Sequence, residues 1–217
     1  MLLDLSHAIT EGMITYPGLE GPQLSEVLDR ATSEERFPGI RMSIGHVCMV
    51  ANTGTYVDVP FHYYEDGDDL ASFGLHRVAQ LPGLYVDVRQ ALERGIGAEA
   101  FDNVDVSGRA VLLHTGWDRH FGTAAYGVDA PFVTAAGIRH LIDHNAALVG
   151  IDSVNIDDIG DLQRPAHVGL LAAGIPIVEH LVGLEQLRGV PAFAFTAAPP
   201  KFTALGTFPV RAFASTD

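Results

Sequence analysis

The sequence predicts a single α/β (α+β) domain built on a mixed sheet, with many short strands and few helices. Three observations carry this expectation. Hydrophobic residues make up 47% of the 217 residues and charged ones 18%, which is enough apolar matter to bury a sizeable core. Short apolar and β-branched runs recur between turn signals along the whole chain. In the second half these runs alternate with segments whose apolar residues repeat at helical spacing.

Taken in order, residues 2–10 read as a short strand. Residues 12–39 form a turn-rich stretch punctuated by Tyr16-Pro17-Gly18 and Pro38-Gly39, and an irregular segment of that length in a compact domain is often functional. Residues 42–50 and 56–61 read as strands either side of the Asn52-Thr53-Gly54 turn. Residues 65–69 are a polar loop, 84–88 a strand, 89–94 a short helix, and 110–114 an apolar strand ending at Thr115-Gly116-Trp117. After Thr134, the side chains of Ile138, Leu141 and Ile142 hold one helical face, and residues 147–151 form a buried strand that ends at Asp152. Residues 167–173 read as a helix with Gly174 as its C-cap, and 175–178 as a strand running into Glu179. Strands at 191–196 and 210–214 close the chain. No repeat, low-complexity tract or linker interrupts residues 1–217, so one domain is expected.

Twenty-seven acidic residues against 13 basic ones give a net charge of −14, and Lys201 is the one lysine. That balance repels phosphate backbones and anionic lipid, so neither nucleic acid nor a membrane is an expected partner. No apolar run approaches the roughly 20 residues needed to span a bilayer. A single cysteine, Cys48, forbids an internal disulfide, and the N-terminus lacks the pattern of a secretory signal. A cytoplasmic protein with a small-molecule substrate is expected.

Several common catalytic motifs are missing: there is no GxSxG elbow, Walker A loop, HExxH or CxxC. Gly95-Ile96-Gly97-Ala98-Glu99-Ala100 mimics a dinucleotide fingerprint, but it follows a helix-like segment instead of a strand. His140 and His144 stand four residues apart beside Asp143, without a third ligand nearby, and read as a solvated helix face. The acids Glu65, Asp66, Asp68 and Asp69 lack the order of an EF-hand loop.

The segment from Asn52 to His62 is different. If it is extended from Tyr56, period-two alternation sends Tyr56, Asp58 and His62 to one face, where a phenol, a carboxylate and an imidazole converge. On spacing alone, an aspartate in a turn and a histidine bonded to a backbone carbonyl is the reading favoured over a site.

This segment resembles the signature H-T-G-T-H-x-D-x-P-x-H of the cyclase family of metal-dependent hydrolases, which includes bacterial kynurenine formamidase and isatin hydrolase. Further elements match in order: Tyr16-Pro17-Gly18, Leu112-Leu113-His114-Thr115-Gly116-Trp117, Gly150-Ile151-Asp152, and His167 followed twelve residues on by Glu179. The resemblance implies a swivelling β/β/α fold and a homo-oligomeric enzyme with a two-metal site. It assigns Asp58 as a bridging carboxylate, His167 and Glu179 as the remaining ligands of the second metal, His62 as the catalytic acid/base, and Tyr16 as a substrate contact.

Two departures fall at the first metal, where Asn52 and Tyr56 replace the family's histidines. An amide is a weak oxygen donor, and a phenol must lose a proton with a pKa near ~10 before it binds a metal strongly. Asp58, His167 and Glu179 remain as a one-metal set for Zn²⁺ or Mn²⁺ with an open position for water. The alternative is a metal-free site in which Tyr56 donates to a substrate carbonyl and His62 or His167 acts as the base. Because both histidines are missing, kynurenine formamidase activity itself is not expected.

The function expected from this resemblance is hydrolysis of an amide, formamide, lactam or ester of a small aromatic molecule. Tyr16, Phe61, Trp117 and Asn52 are the expected substrate contacts, with Phe37 as a further ring, and the 152–158 stretch as a segment lining the site. A non-hydrolytic isomerase, dehydratase or cyclase, and a ligand-binding relic of the family, stand as the alternatives.

Overall fold

The computed structural model describes residues 1–216. Along them run β1 (Leu2–Asp4), β2 (Gln23–Leu28), α1 (Arg30–Arg36), β3 (Ile44–Cys48), β4 (Tyr56–Asp58), β5 (Leu81–Asp87), β6 (Gly95–Ile96), β7 (Ala110–His114), β8 (Phe132–Val133), α2 (Ala135–Asp143), β9 (Leu148–Ile151), α3 (Pro165–Ala172), β10 (Ile177–Glu179), β11 (Ala194–Thr196), β12 (Thr207–Pro209) and β13 (Phe213–Ser215). Nine of the strands form one mixed sheet in the order β1-β13-β11-β5-β7-β9-β10-β4-β12. Its centre, β5-β7-β9-β10, is parallel, and its flanks are antiparallel. Parallel neighbours need long crossovers, which α2 supplies between β7 and β9 and α3 between β9 and β10.

The sheet is buried on both faces, which is why its central strands read as continuous apolar runs rather than alternating ones. On β7, Val111 and Leu113 pack with Ile138 and Leu141 of α2 and Leu170 of α3. Ala110 and Leu112 turn the other way, to Leu5, Val57, Val178 and Phe195. Helix α2 starts where expected, with the Thr134 side chain accepting from Gly137 N at 3.3 Å. Among the described residues no helix is long and apolar enough to cross a membrane.

Four expectations need correction. The irregular stretch 12–39 contains β2 and α1, and β2 pairs antiparallel with β3 as a separate two-stranded sheet. Leu28 is the one buried residue on β2, which therefore lacks the in/out alternation that marks a strand in sequence, whereas β3 falls within the strand expected over 42–50. Residues 89–94 form turns instead of a helix. Arg89 folds back there on Asp87, with Nε and a terminal nitrogen donating to the carboxylate at 2.8 and 2.7 Å. The strand expected over 56–61 stops at Asp58, and the three-residue strand β12 was not foreseen.

Candidate metal centre

Strand β4 lies between β10 and β12, and its register places the chemistry. Tyr56 pairs with Glu179, while Asp58 faces Ile177 on one side and Thr207 on the other. Alternation puts Tyr56 and Asp58 on one face and sends Val57 into the core. The Tyr56 hydroxyl donates to Glu179 Oε2 at 2.7 Å, and the Thr207 hydroxyl donates to Asp58 Oδ1.

Pro60 has no N–H and cannot continue the ladder. The chain turns there into a short 3₁₀ segment, Pro60–His62, which brings His62 Nε2 to 3.8 Å from Asp58 Oδ1. His62 therefore reaches the site by a turn and not by strand alternation. Gly206 is required beside it, because a Cβ at that position would lie 2.1 Å from the His62 nitrogen.

His167 arrives from the opposite side, on the first turn of α3. The residue at the cap of that helix, Arg164, makes no capping hydrogen bond with its side chain. Asp157 takes over that function from the preceding loop. Its Oδ1 accepts from Ala166 N at 2.6 Å, and its Oδ2 from His167 N at 3.1 Å and from His167 Nδ1 at 2.7 Å. The free α3 donors and the imidazole are thus satisfied by one buried carboxylate, and Nε2 is turned toward Asp58. The Tyr63 ring stacks on the imidazole with centroids 5.2 Å apart.

His167 Nε2 lies 3.6 Å from Asp58 Oδ2 and 3.7 Å from Glu179 Oε1. Both distances are too long for hydrogen bonds, yet they suit donors placed about 2.0–2.2 Å from a shared ion. Asp58 Oδ2 is buried without a hydrogen-bond partner, a costly state for a carboxylate oxygen unless a cation satisfies it. Asp58, His62 and His167 each offer an atom within 4.8 Å of the other two. Glu179 borders this set with both oxygens already engaged, Oε1 by Ile156 N at 2.7 Å and Oε2 by Tyr56. His62 thus joins the donor group that the sequence reading assigned to Asp58, His167 and Glu179.

The electrostatics also ask for a cation. Burial alone would depress the pKa of His167, but its bond to Asp157 and the nearby charges of Asp58 and Glu179 outweigh burial and raise it to about 10. Burial pushes Glu179 up to about 7 despite the neighbouring imidazole. A pocket with three carboxylates needs a positive charge, which either an imidazolium or a divalent ion on Nε2 supplies. Tyr56 fits no second ion. Its phenol is held well above the usual value by burial first, then by the charges of Glu179 and Asp58, so it keeps the proton it donates to Glu179.

Tyr56, His62, Tyr63, His167 and Glu179 line a cavity of about 230 Å³ together with Tyr16, Asn52, Asn155 and Arg164, and Asp58 is buried behind them. Tyr16 and Asn52 are thus brought to the site. Phe61 and Trp117 do not line the cavity: Trp117 packs with Tyr126, Ala130 and Val154 and donates Nε1–H to Tyr126 O at 2.9 Å, and Phe37 is exposed on the α1 side. Tyr56 is only 2% exposed with its proton committed to Glu179, so it is not free to donate to a substrate carbonyl. Sequence reasoning missed Tyr63, Arg164 and Thr207, and it placed Asn155 and Asp157 only as members of a lining stretch. The larger hollow of about 960 Å³ beside His7, Phe121 and Tyr126 has no carboxylate in its lining.

The residues and their order along the chain match a known group. A family model described as "Putative cyclase" matches residues 3–158, and the chain belongs to this cyclase family. Kynurenine formamidase from Bacillus cytotoxicus is 28% identical over 211 residues, covering 97% of this chain and 95% of that protein. Among solved structures, isatin hydrolase A from Labrenzia aggregata bound to benzyl benzoate superposes with a TM-score of 0.82 at 22% identity, over 99% of this chain and 93% of that one. A potential metal-dependent hydrolase with cyclase activity gives 0.78 at 24%, over 99% and 96%. The mixed α+β architecture expected from the sequence is the one these structures share.

Proposed function

We propose that the chain is a metal-dependent hydrolase of an amide, formamide, lactam or ester bond in a small aromatic molecule. The observation that carries this reading is the unpartnered, fully buried Asp58 Oδ2 lying 3.6 Å from Nε2 of His167, a residue that lines the cavity. Similarity to kynurenine formamidase and isatin hydrolase A supports the bond type and the aromatic substrate. Asp58 and His167, with Glu179 as the third donor, would hold one Zn²⁺ or Mn²⁺ and leave His62 for proton transfer. Such an ion would supply Lewis acidity, enough to bring the pKa of water down to roughly 7.

The chain's own residues do the rest. Asp157 fixes the His167 ring, and Tyr56 fixes Glu179. His62, with its side chain 30% exposed, is the donor-set residue open to the cavity and carries the proton to the leaving atom. In an amide substrate, His62 takes one proton from water as its hydroxyl adds to the carbonyl carbon; the C–N bond then breaks and the nitrogen leaves with that proton, returned by His62. The rings of Tyr16 and Tyr63 flank the substrate ring, and the Asn52 amide donates to the carbonyl oxygen. The reading is tested on formanilide and an aryl lactone with the metal-loaded protein. Turnover that falls by about 10²-fold or more in His62→Gln supports it; no turnover of either compound by the native chain refutes it.

The same reading places the protein in the cytoplasm, as a homo-oligomer. A lone two-stranded sheet is marginally stable in water, yet β2 and β3 expose Leu24, Val27, Ile44 and Val47 at 45–71%. A second copy of the chain seated there would bury them. Val47→Asp is then expected to shift the mass in light scattering toward the monomer; an unchanged mass refutes this assembly.

A further inference from the structure

The cavity holds one positively charged side chain that the reaction described above does not use. Arg164 lines it beside Tyr16, Asn52 and Asn155, and its backbone sits at φ 47°, ψ 55°, a left-handed conformation unfavourable for a residue with a Cβ. The guanidinium makes two side-chain hydrogen bonds, to Asn155 Oδ1 at 3.1 Å and to the Tyr16 hydroxyl at 3.3 Å. Both partners are neutral.

Among the described residues, six of the twelve arginines pair with a carboxylate, and of those that do not, Arg164 is the one that lines this cavity. Arg89 pairs with Asp87 at 2.7 Å, Arg94 with Asp158 at 3.1 Å and Arg211 with Asp4 at 2.7 Å. Among the described residues, Arg164 has no carboxylate within 4.0 Å. A guanidinium carries five N–H donors in a planar fork, and two neutral contacts leave most of them free. Asn155 and Tyr16 hold the fork in place without cancelling its charge, the arrangement that favours two-point capture of a planar anion.

The geometry points to a carboxylate-bearing substrate. The scissile bond sits over Asp58 and His167, and the carboxylate on the same small aromatic molecule is held by Arg164, with the Tyr16 hydroxyl beside it. This inference rests on the hydrolase reading for the position of the scissile bond, but the anion subsite is defined by Arg164 alone. A cavity of about 230 Å³ suits a single ring with short substituents. A singly charged planar group also meets less repulsion from the three buried carboxylates than a dianion would.

Two measurements test the subsite separately from the chemistry. In the first, calorimetry compares 2-aminobenzoate with aniline, on the metal-loaded protein and again after chelation, for the native chain, Arg164→Gln and Tyr16→Phe. The native chain is expected to prefer the acid, and Arg164→Gln to reduce that preference roughly 10- to 100-fold, the range of a charge-assisted hydrogen bond. Thermal melts of each variant show that it is folded, and Arg164→Lys, which keeps the charge without the fork, is expected to restore only part of the preference.

In the second, the ratio of kcat/KM for 2-formamidobenzoate to that for formanilide is measured in the same variants, and it should fall with Arg164→Gln. Acid binding that depends on Arg164 without turnover of either amide upholds the subsite and refutes the hydrolase reading. Turnover of formanilide with no preference for the acid, or a preference that survives Arg164→Gln, overturns the subsite and leaves the hydrolase reading standing.

Discussion

Replacing Asp157 by asparagine separates the positioning of His167 from the packing around it. The carboxylate accepts three hydrogen bonds, from Ala166 N, His167 N and His167 Nδ1, at 2.6, 3.1 and 2.7 Å. Asparagine keeps the shape but has one acceptor and one donor end. With its NH₂ toward His167, it faces two N–H donors, and the imidazole escapes only by moving its proton to Nε2. That proton then points at Asp58 and Glu179, where a metal would take the lone pair. With its NH₂ reversed, it faces the Ala166 N–H instead. Either orientation loses a charge-assisted bond, about 1.5–3 kcal/mol, which for a chain of this size lowers Tm by roughly 3–12 °C. Zinc affinity, read by competition with a chelating dye, is expected to fall about 10–100-fold, as for other partners of a metal-bound histidine. An Asp157→Asn protein that melts and binds zinc like the native chain refutes this account of how His167 is aimed.

Two further outcomes follow from the same structure. His7 stacks on Phe121 with ring centroids 3.6 Å apart and has its Nε2 buried without a partner; burial depresses it from 6.5 to about 4 against the opposing pull of Asp118. The unfolded chain therefore takes up a proton near pH 6.5 that the folded one refuses until about pH 4, so this residue removes stability as pH falls through that window. His7→Phe is expected to flatten the dependence of Tm on pH between those values, and an unchanged slope contradicts the assignment. Gly206→Ala forces a Cβ against the His62 backbone, 2.1 Å from its nitrogen and 2.4 Å from its Cα. It should displace His62 and reduce kcat with metal content retained; native kcat in that variant shows that the turn need not hold His62 where it is.

Much of this was legible in the sequence, for physical reasons that differ by residue. Tyr56 and Asp58 share a face because they are two apart on a strand, and that periodicity is local. His62 was expected on the same face by extending the strand through Pro60, which cannot donate to a ladder; it meets Asp58 through a turn. Thr134 and Ile138 marked α2 by cap and spacing, and apolar, β-branched residues marked β3, whereas β2 carries no alternation because both of its faces are exposed.

The site's remaining parts depend on contacts distant in sequence. Thr207 reaches Asp58 across 149 positions and Arg164 reaches Tyr16 across 148, and no local pattern encodes such pairings. In the 152–158 stretch the acids look alike in sequence. Folding makes Asp157 the support of His167, while Asp152 accepts from Thr115 N and Gly116 N and Asp158 pairs with Arg94. Trp117 is expected at the substrate as a ring surface in a pocket like the family's; its indole N–H is instead taken by Tyr126 O inside a small apolar cluster.

The central claim is a one-ion site built on Asp58 and His167, and metal content tests it most directly. Elemental analysis of the purified protein, after incubation with Zn²⁺ or Mn²⁺ and removal of the excess, is predicted to give about one ion per chain, lost in both Asp58→Ala and His167→Ala. No bound ion in the native chain, or an ion retained when Asp58 is removed, would contradict it.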